Sequence, residues 1–216
     1  MTGTTPRGTE VGVVERTLIV AVNGSPNPRG NTAALLEAAL QACRAEGADT
    51  AVIHCQQALR GQRQKFCVAC ESPCTGKCGQ GTRLGEAHAL MARADGLLLG
   101  SPVYFGTVSA QLKAFWDKTR HLRTARALLN VPGGALAVGA SRFGGQETTL
   151  RALQDMMLVQ GMLVVGDGER EHDCGHLGAA AQRPATADEE GLQRAALLGR
   201  RLVEVARVTR SIRVRT

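Results

Sequence analysis

Aromatic side chains are scarce in this chain: one Trp, one Tyr and four Phe among 216 residues. Proteins that grip single-stranded nucleic acid stack bases on such rings, so the scarcity weighs against that class despite a formal charge of +7. The charge is largely arginine, 22 of the 26 basic residues, and it is scattered. Its densest run, 207–215, reads as a solvated tail. Basic surface also suits anionic cofactors or acidic electron carriers. No apolar run approaches the roughly 20 residues that span a bilayer. The opening MTGTTPRGTE lacks the basic and apolar segments of a secretory signal. The expectation is a cytoplasmic protein with neither nucleic acid nor membrane as a partner. No Ser-His-Asp set and no paired carboxylates suggest hydrolysis. Neither a Walker A loop nor GxGxxG is present.

The chain does have cysteine, and it is concentrated. Four of seven cysteines, Cys67, Cys70, Cys74 and Cys78, fall within FCVACESPCTGKC. In a reducing compartment such a cluster points to metal binding or redox chemistry rather than disulfides. Cys43 lies on the apolar face of a predicted helix and Cys55 ends a predicted strand, so both read as core. EHDCGH places His172, Cys174 and His176 in alternation, which reads as a polar loop more readily than as a metal site.

Hydrophobic patterning predicts strands at 17–22, 49–55, 96–100, 135–139 and 162–165. Helices are predicted at about 31–46, 83–93, 108–122, 146–160 and 187–208, the first capped by Asn31 or Thr32. Strands alternating with helices imply one α/β domain, a doubly wound parallel sheet of five strands covered on both faces. Residues 1–16 read as a flexible extension, 17–208 as the domain, and 209–216 as a basic tail. The stretch 56–81, which carries the cysteines, is a long connection of the kind that is usually functional.

Three loops share the edge at the carboxyl ends of the strands, where doubly wound folds bind ligands. NGSPNPRGNT leads into the first helix, whose N-terminal amides suit a phosphate. Ser25, Asn27, Asn31 and Thr32 add donors and Arg29 adds charge. The other two loops are SPVYFG, 101–106, and SRFGG, 141–145. Their Gly and Pro expose backbone, and Tyr104, Phe105 and Phe143 suit a flat heteroaromatic ring. Core packing is the competing reading for Phe105 and Phe143.

Together, GSPNPRGNT, GSPVYFGTVSAQLKAFWDKT and GGQETTLRALQDMMLVQGMLVVG resemble the flavodoxin-like NAD(P)H-dependent FMN reductase superfamily. Within it they are most similar to the WrbA-type multimeric flavodoxins and the iron-sulfur flavoproteins. The resemblance implies a flavodoxin-like fold. It implies FMN phosphate on Ser25, Asn27, Asn31 and Thr32, beside which Arg29 adds its charge. Pro102, Val103, Tyr104, Phe105 and Gly106 would line the isoalloxazine and ribityl chain, and Ser141, Arg142, Phe143, Gly144 and Gly145 would approach the ring. Tyr104 and His176 are the candidate proton donors. It also implies a [4Fe-4S] cluster on Cys67, Cys70, Cys74 and Cys78, although CxxCxxxCxxxC here is one residue longer between its second and third cysteines than the usual motif. Thiolates in short spacings wrap iron-sulfur clusters; zinc and unligated redox thiols stay open. The expected activity moves electrons from NAD(P)H or a ferredoxin-like donor to a quinone, dioxygen or peroxide, in a homodimer or homotetramer. Alternatives are a cluster-free NAD(P)H:quinone or FMN reductase and a non-enzymatic electron carrier.

Overall fold

The structure, a computed structural model, describes residues 16–171 and 173–213. Apart from Arg16, the N-terminal extension lies outside them. The chain runs β1 (Leu18–Asn23), α1 (Asn31–Ala45), β2 (Asp49–His54), α2 (Cys55–Ala58), α3 (Arg83–Arg93), β3 (Gly96–Pro102) and α4 (Ala110–Asp117). It continues through α5 (Arg120–Thr124), β4 (Pro132–Gly139), α6 (Gln146–Val159), β5 (Leu163–Val165), β6 (Ala179–Gln182) and α7 (Glu189–Val208). Every strand pairing is parallel, in the order β2-β1-β3-β4-β5. The fifth position has two parts. β5 pairs with Pro132–Gly134 at the start of β4, and β6 pairs with Leu136–Gly139 at its end. The sequence reading of five strands therefore holds for strand positions, with the fifth divided by the segment 166–178.

Alternation along each strand divides the core. Val20, Val22, Leu97, Leu99, Ala135 and Ala137 face α3, α4 and α6. Ile19, Ala21, Leu98, Leu136 and Val138 face α1 and α7. Full burial of a leucine such as Leu97 or Leu98 contributes about 2 kcal/mol. The topology reverses direction at β1 and β3, which opens a crevice at their carboxyl ends. Cys43 is core, as expected, and its thiol donates to Gly199 O at 3.3 Å. Cys55 is also core, but it begins α2 instead of ending β2.

Three other expectations change. The helix expected over 108–122 is two helices, because Thr119 turns its hydroxyl back to Trp116 O at 2.7 Å and takes a bond from Gln160 Nε2 at 2.6 Å. Asn31 and Thr32 do not cap α1; Gly30 holds that position. The basic tail is not uniformly solvated. Arg213 reaches Asp95 at 2.7 Å with both side chains 3% exposed, and Arg210 joins at 3.3 Å. A carboxylate this deep needs its cation, so the segment 210–213 is clamped beside the start of β3, while 214–216 of the expected tail lie outside the described residues. Arg213→Ala is expected to cost about 3 kcal/mol in urea unfolding, and Arg210→Ala, at a more exposed pair, less than about 1 kcal/mol.

Candidate functional site

At the crevice, Asn23 is wholly buried. Its Oδ1 accepts the Ser25 N–H at 2.9 Å, and its Nδ2 is buried without a partner. Ser25 Oγ accepts the Asn27 N–H and Asn27 Oδ1 accepts the Arg29 N–H, each at 3.1 Å. These side-chain turns wrap the loop around the start of α1. No side chain caps that helix, so its first amides still need acceptors. Asn27 and Arg29 are exposed, Ser25 and Thr32 buried. Asn31 spends its Oδ1 on the Ala185 N–H at 2.9 Å, fastening the loop after β6 to the crevice.

The loop after β3 joins the same wall. Ser101 Oγ accepts the Ser109 N–H at 3.0 Å, and the Val103 N–H bonds Val138 O at 2.9 Å. Tyr104 and Thr107 form a bridge closed by Phe105 at φ 50° and Gly106 at φ 77°. Left-handed backbone at a bulky residue is strained, and such strain collects at functional sites. Phe105 is fully exposed and Phe143 is 96% exposed, so neither packs the core. The loop after β4 meets this turn. Thr148 Oγ1 donates to Gly106 O at 2.7 Å. Gly145 has φ 92°, and a Cβ there would lie 3.2 Å from Gly106 Cα. Gln146 braces 141–144, donating to Ser141 O at 2.6 Å and accepting the Gly144 N–H at 2.9 Å. Pro102 and Val103 are half-buried, while Ser141 and Arg142 are exposed. Thus the three loops expected to converge do so.

The cysteine loop covers the α3–α5 side. All four of its cysteines are free thiols, Cys67 and Cys74 half-buried, Cys70 and Cys78 exposed. Glu71 organises the turn. It accepts the Thr75 N–H at 3.0 Å and the Thr75 hydroxyl, and pairs with Lys77 at 2.9 Å. The Thr75 hydroxyl, with Lys77 and the Thr75 amide, pulls its carboxyl down to about 2. Among the described residues, no three or more His, Cys, Asp or Glu side chains are grouped to hold a metal ion. Cys174 and His176 are exposed in a turn that Asp173 closes with Arg194 at 2.7 Å; His172 lies outside the described residues. That turn is a polar, ion-paired loop.

The NADPH-dependent FMN reductase family matches residues 17–174. The chain belongs to this family. An iron-sulfur flavoprotein of Methanocaldococcus jannaschii is 41% identical over 193 residues, spanning 88% of this chain and 97% of that protein. An iron-sulfur flavoprotein of Methanosarcina thermophila is 33% identical over 196 residues, spanning 87% and 94%. In fold, the chain is similar to a WrbA-like flavodoxin of Agrobacterium tumefaciens, with TM-score 0.62, 21% identity, and coverage of 90% and 99%. This FMN reductase family member is a flavin-dependent oxidoreductase with FMN as its cofactor. The crevice fits that cofactor: uncapped α1 amides, the unpartnered Asn23 amide, and a rim of exposed aromatics.

Sequence reasoning missed two histidines. His88 and His121 sit under the cysteine loop with ring centroids 4.8 Å apart. The sequence signal was available for His88, which shares the apolar stripe of α3 with Leu84 and Met91. Neither His88 ring nitrogen has a hydrogen-bond partner, and its side chain is 2% exposed. Leaving such a polar atom unpaired costs about 1–3 kcal/mol. Burial first, then the nearby His121 and Lys118, push the His88 imidazole down to about 3. Burial also lowers His121, opposed by the Lys118 carbonyl. Between the ordinary 6.5 and about 3 the unfolded chain binds the proton that folded His88 refuses. Its contribution is therefore complete above 6.5 and falls as pH drops below it. Urea midpoints should show His88→Phe removing about 2 kcal/mol of the stability lost between pH 7 and 5.

Proposed function

We propose that this FMN reductase relative is an iron-sulfur flavoprotein. It oxidises NAD(P)H, or accepts electrons from a ferredoxin-like protein, and reduces a small acceptor such as a quinone, dioxygen or peroxide. One juxtaposition carries the reading: a flavin crevice and four free thiols within one twelve-residue segment, on the same chain. With a quinone, the balance is NAD(P)H plus a proton and quinone giving NAD(P)+ and quinol. Bound FMN supplies hydride acceptance and single-electron release. A [4Fe-4S] cluster, if held by Cys67, Cys70, Cys74 and Cys78, supplies one-electron storage. The donor set fits iron chemically, since all four thiols are free and lie close in sequence.

The chain's own residues have definite work in this reading. The α1 amides of Asn31 and Thr32, the Ser25 hydroxyl and Arg29 bind phosphate, with Asn27 shaping the loop. Pro102, Val103 and Gly106 present backbone to the ring and ribityl chain, with Ser141, Arg142, Gly144 and Gly145 opposite. Tyr104, Phe105 and Phe143 limit water at the rim, and Tyr104 Oη holds the proton that an acceptor needs. Free thiols suit a reducing cytoplasm. The exposed Phe66, Val68, Phe105 and Phe143 suit burial against further copies in a homodimer or homotetramer.

The absence of a gathered metal-holding group among the described residues favours a second reading. There the protein is a plain NAD(P)H:quinone or FMN reductase and the thiols are redox-active or structural. Anaerobic purification separates the two. Flavin absorption with about four irons and matching acid-labile sulfide per chain supports the first, and flavin without iron supports the second. NAD(P)H oxidation with a quinone distinguishes both from a non-enzymatic carrier. Ser25→Asp puts a carboxylate against the phosphate and should weaken FMN at least about tenfold, about 1.4 kcal/mol, in a fluorescence titration.

A further inference from the structure

Between the cysteine loop and α5 lies a cavity of about 490 Å³ whose lining includes no residue of the three crevice loops. Arg120, Arg123 and Arg126 line it, with Ser72, Cys74 and Gln160. No Asp or Glu does. Among the described residues, none of these three arginines is ion-paired. Glu71, next to Ser72 in the chain, is already held by Lys77 at 2.9 Å.

The backbone is bent to hold the third of them. At the end of α5 the Arg126 N–H bonds Arg123 O at 3.0 Å and the Ala127 N–H bonds Leu122 O at 2.9 Å. This closing pattern places position 126 in left-handed backbone, where helices usually put glycine. Here an arginine takes it, at φ 57°. Such strain persists where the surrounding structure or a function maintains it. Gln160, in the same lining, is 8% exposed; its Nε2 donates to Thr119 Oγ1 at 2.6 Å and its Oε1 is buried without a partner. The wall thus carries three guanidinium forks and a spare acceptor for a guanidinium N–H or a phosphate O–H.

Like charges lining one concavity focus the potential and draw in the opposite sign. Guanidinium forks match carboxylate and phosphate oxygens. The two oxygens of a carboxylate serve one fork, whereas the three terminal oxygens of a phosphate group serve more than one. The volume falls in the range of small-molecule sites, about 300–1,000 Å³, and a concave wall suits a small ligand better than the surface of an acidic protein.

We propose that Arg120, Arg123 and Arg126 form a binding site for a phosphate-bearing small molecule, distinct from the flavin crevice. The site does not depend on what the four cysteines hold.

The test is calorimetric titration of pyrophosphate into FMN-loaded protein, so that the α1 amides are already engaged. Binding is expected in the wild type, weakening as salt rises. Arg120→Ser and Arg126→Gly should each weaken it at least about tenfold. Arg126→Gly should also keep or raise the urea midpoint, because glycine adopts positive φ without strain. Binding lost while stability is kept supports the site. Displacement of pyrophosphate by NADP+ would assign the phosphate to a nicotinamide donor, and no displacement would assign it to a separate ligand; both sources satisfy the proposal. Wild-type protein that takes up no pyrophosphate, or folded variants that bind it as tightly as the wild type, would overturn it.

Discussion

Ser109 ties together three parts of the crevice. Its hydroxyl donates to Gly24 O at 2.6 Å and accepts the Leu112 N–H at 3.2 Å, while its own amide bonds Ser101 Oγ. Gly24 N–H in turn bonds Gly100 O at 2.8 Å. One wholly buried side chain thus caps α4, pins the loop after β1, and sets the path of the loop after β3. The uncapped start of α1 and the turn bearing Tyr104 and Phe105 face one crevice because these two loops share that stitch. Thr148 and Gln146 then extend the same wall to the loop after β4.

Much of this was legible in the chain. The strand at 132–139, and that at 96–102 but for Ser101, are runs of apolar and glycine residues, and α3 has the bounds that its periodicity predicts. The three crevice loops were readable because Gly, Pro, Ser and Asn follow strands at the edge where this topology binds ligands. What was not legible depends on distant partners. β6 is AAAQ, with no β-branched residue, and it exists because β4 leaves room beyond β5. Arg213 reads as part of a charged run, yet Asp95 lies 118 residues earlier. Asn31 reads as a helix cap, but Ala185 takes its carbonyl oxygen.

The cysteine loop is the other centre of the molecule, and it follows different physics. It has few apolar anchors; Phe66 and Val68 are exposed. Its order comes from Glu71 with Thr75 and Lys77, from tight turns at Gly76 and Gly79, and from two histidines beneath. The crevice is fixed by buried hydrogen bonds before any cofactor arrives. One chain thus pairs a preformed flavin crevice with a thiol loop ordered by polar contacts.

The most direct test of two redox groups on one chain is an anaerobic reductive titration that counts electrons. A flavin takes two electrons and a [4Fe-4S] cluster one, so about three equivalents per chain are predicted. A titration that ends at about two, with the flavin fully reduced, would contradict the paired-cofactor reading and leave a flavin reductase with free thiols.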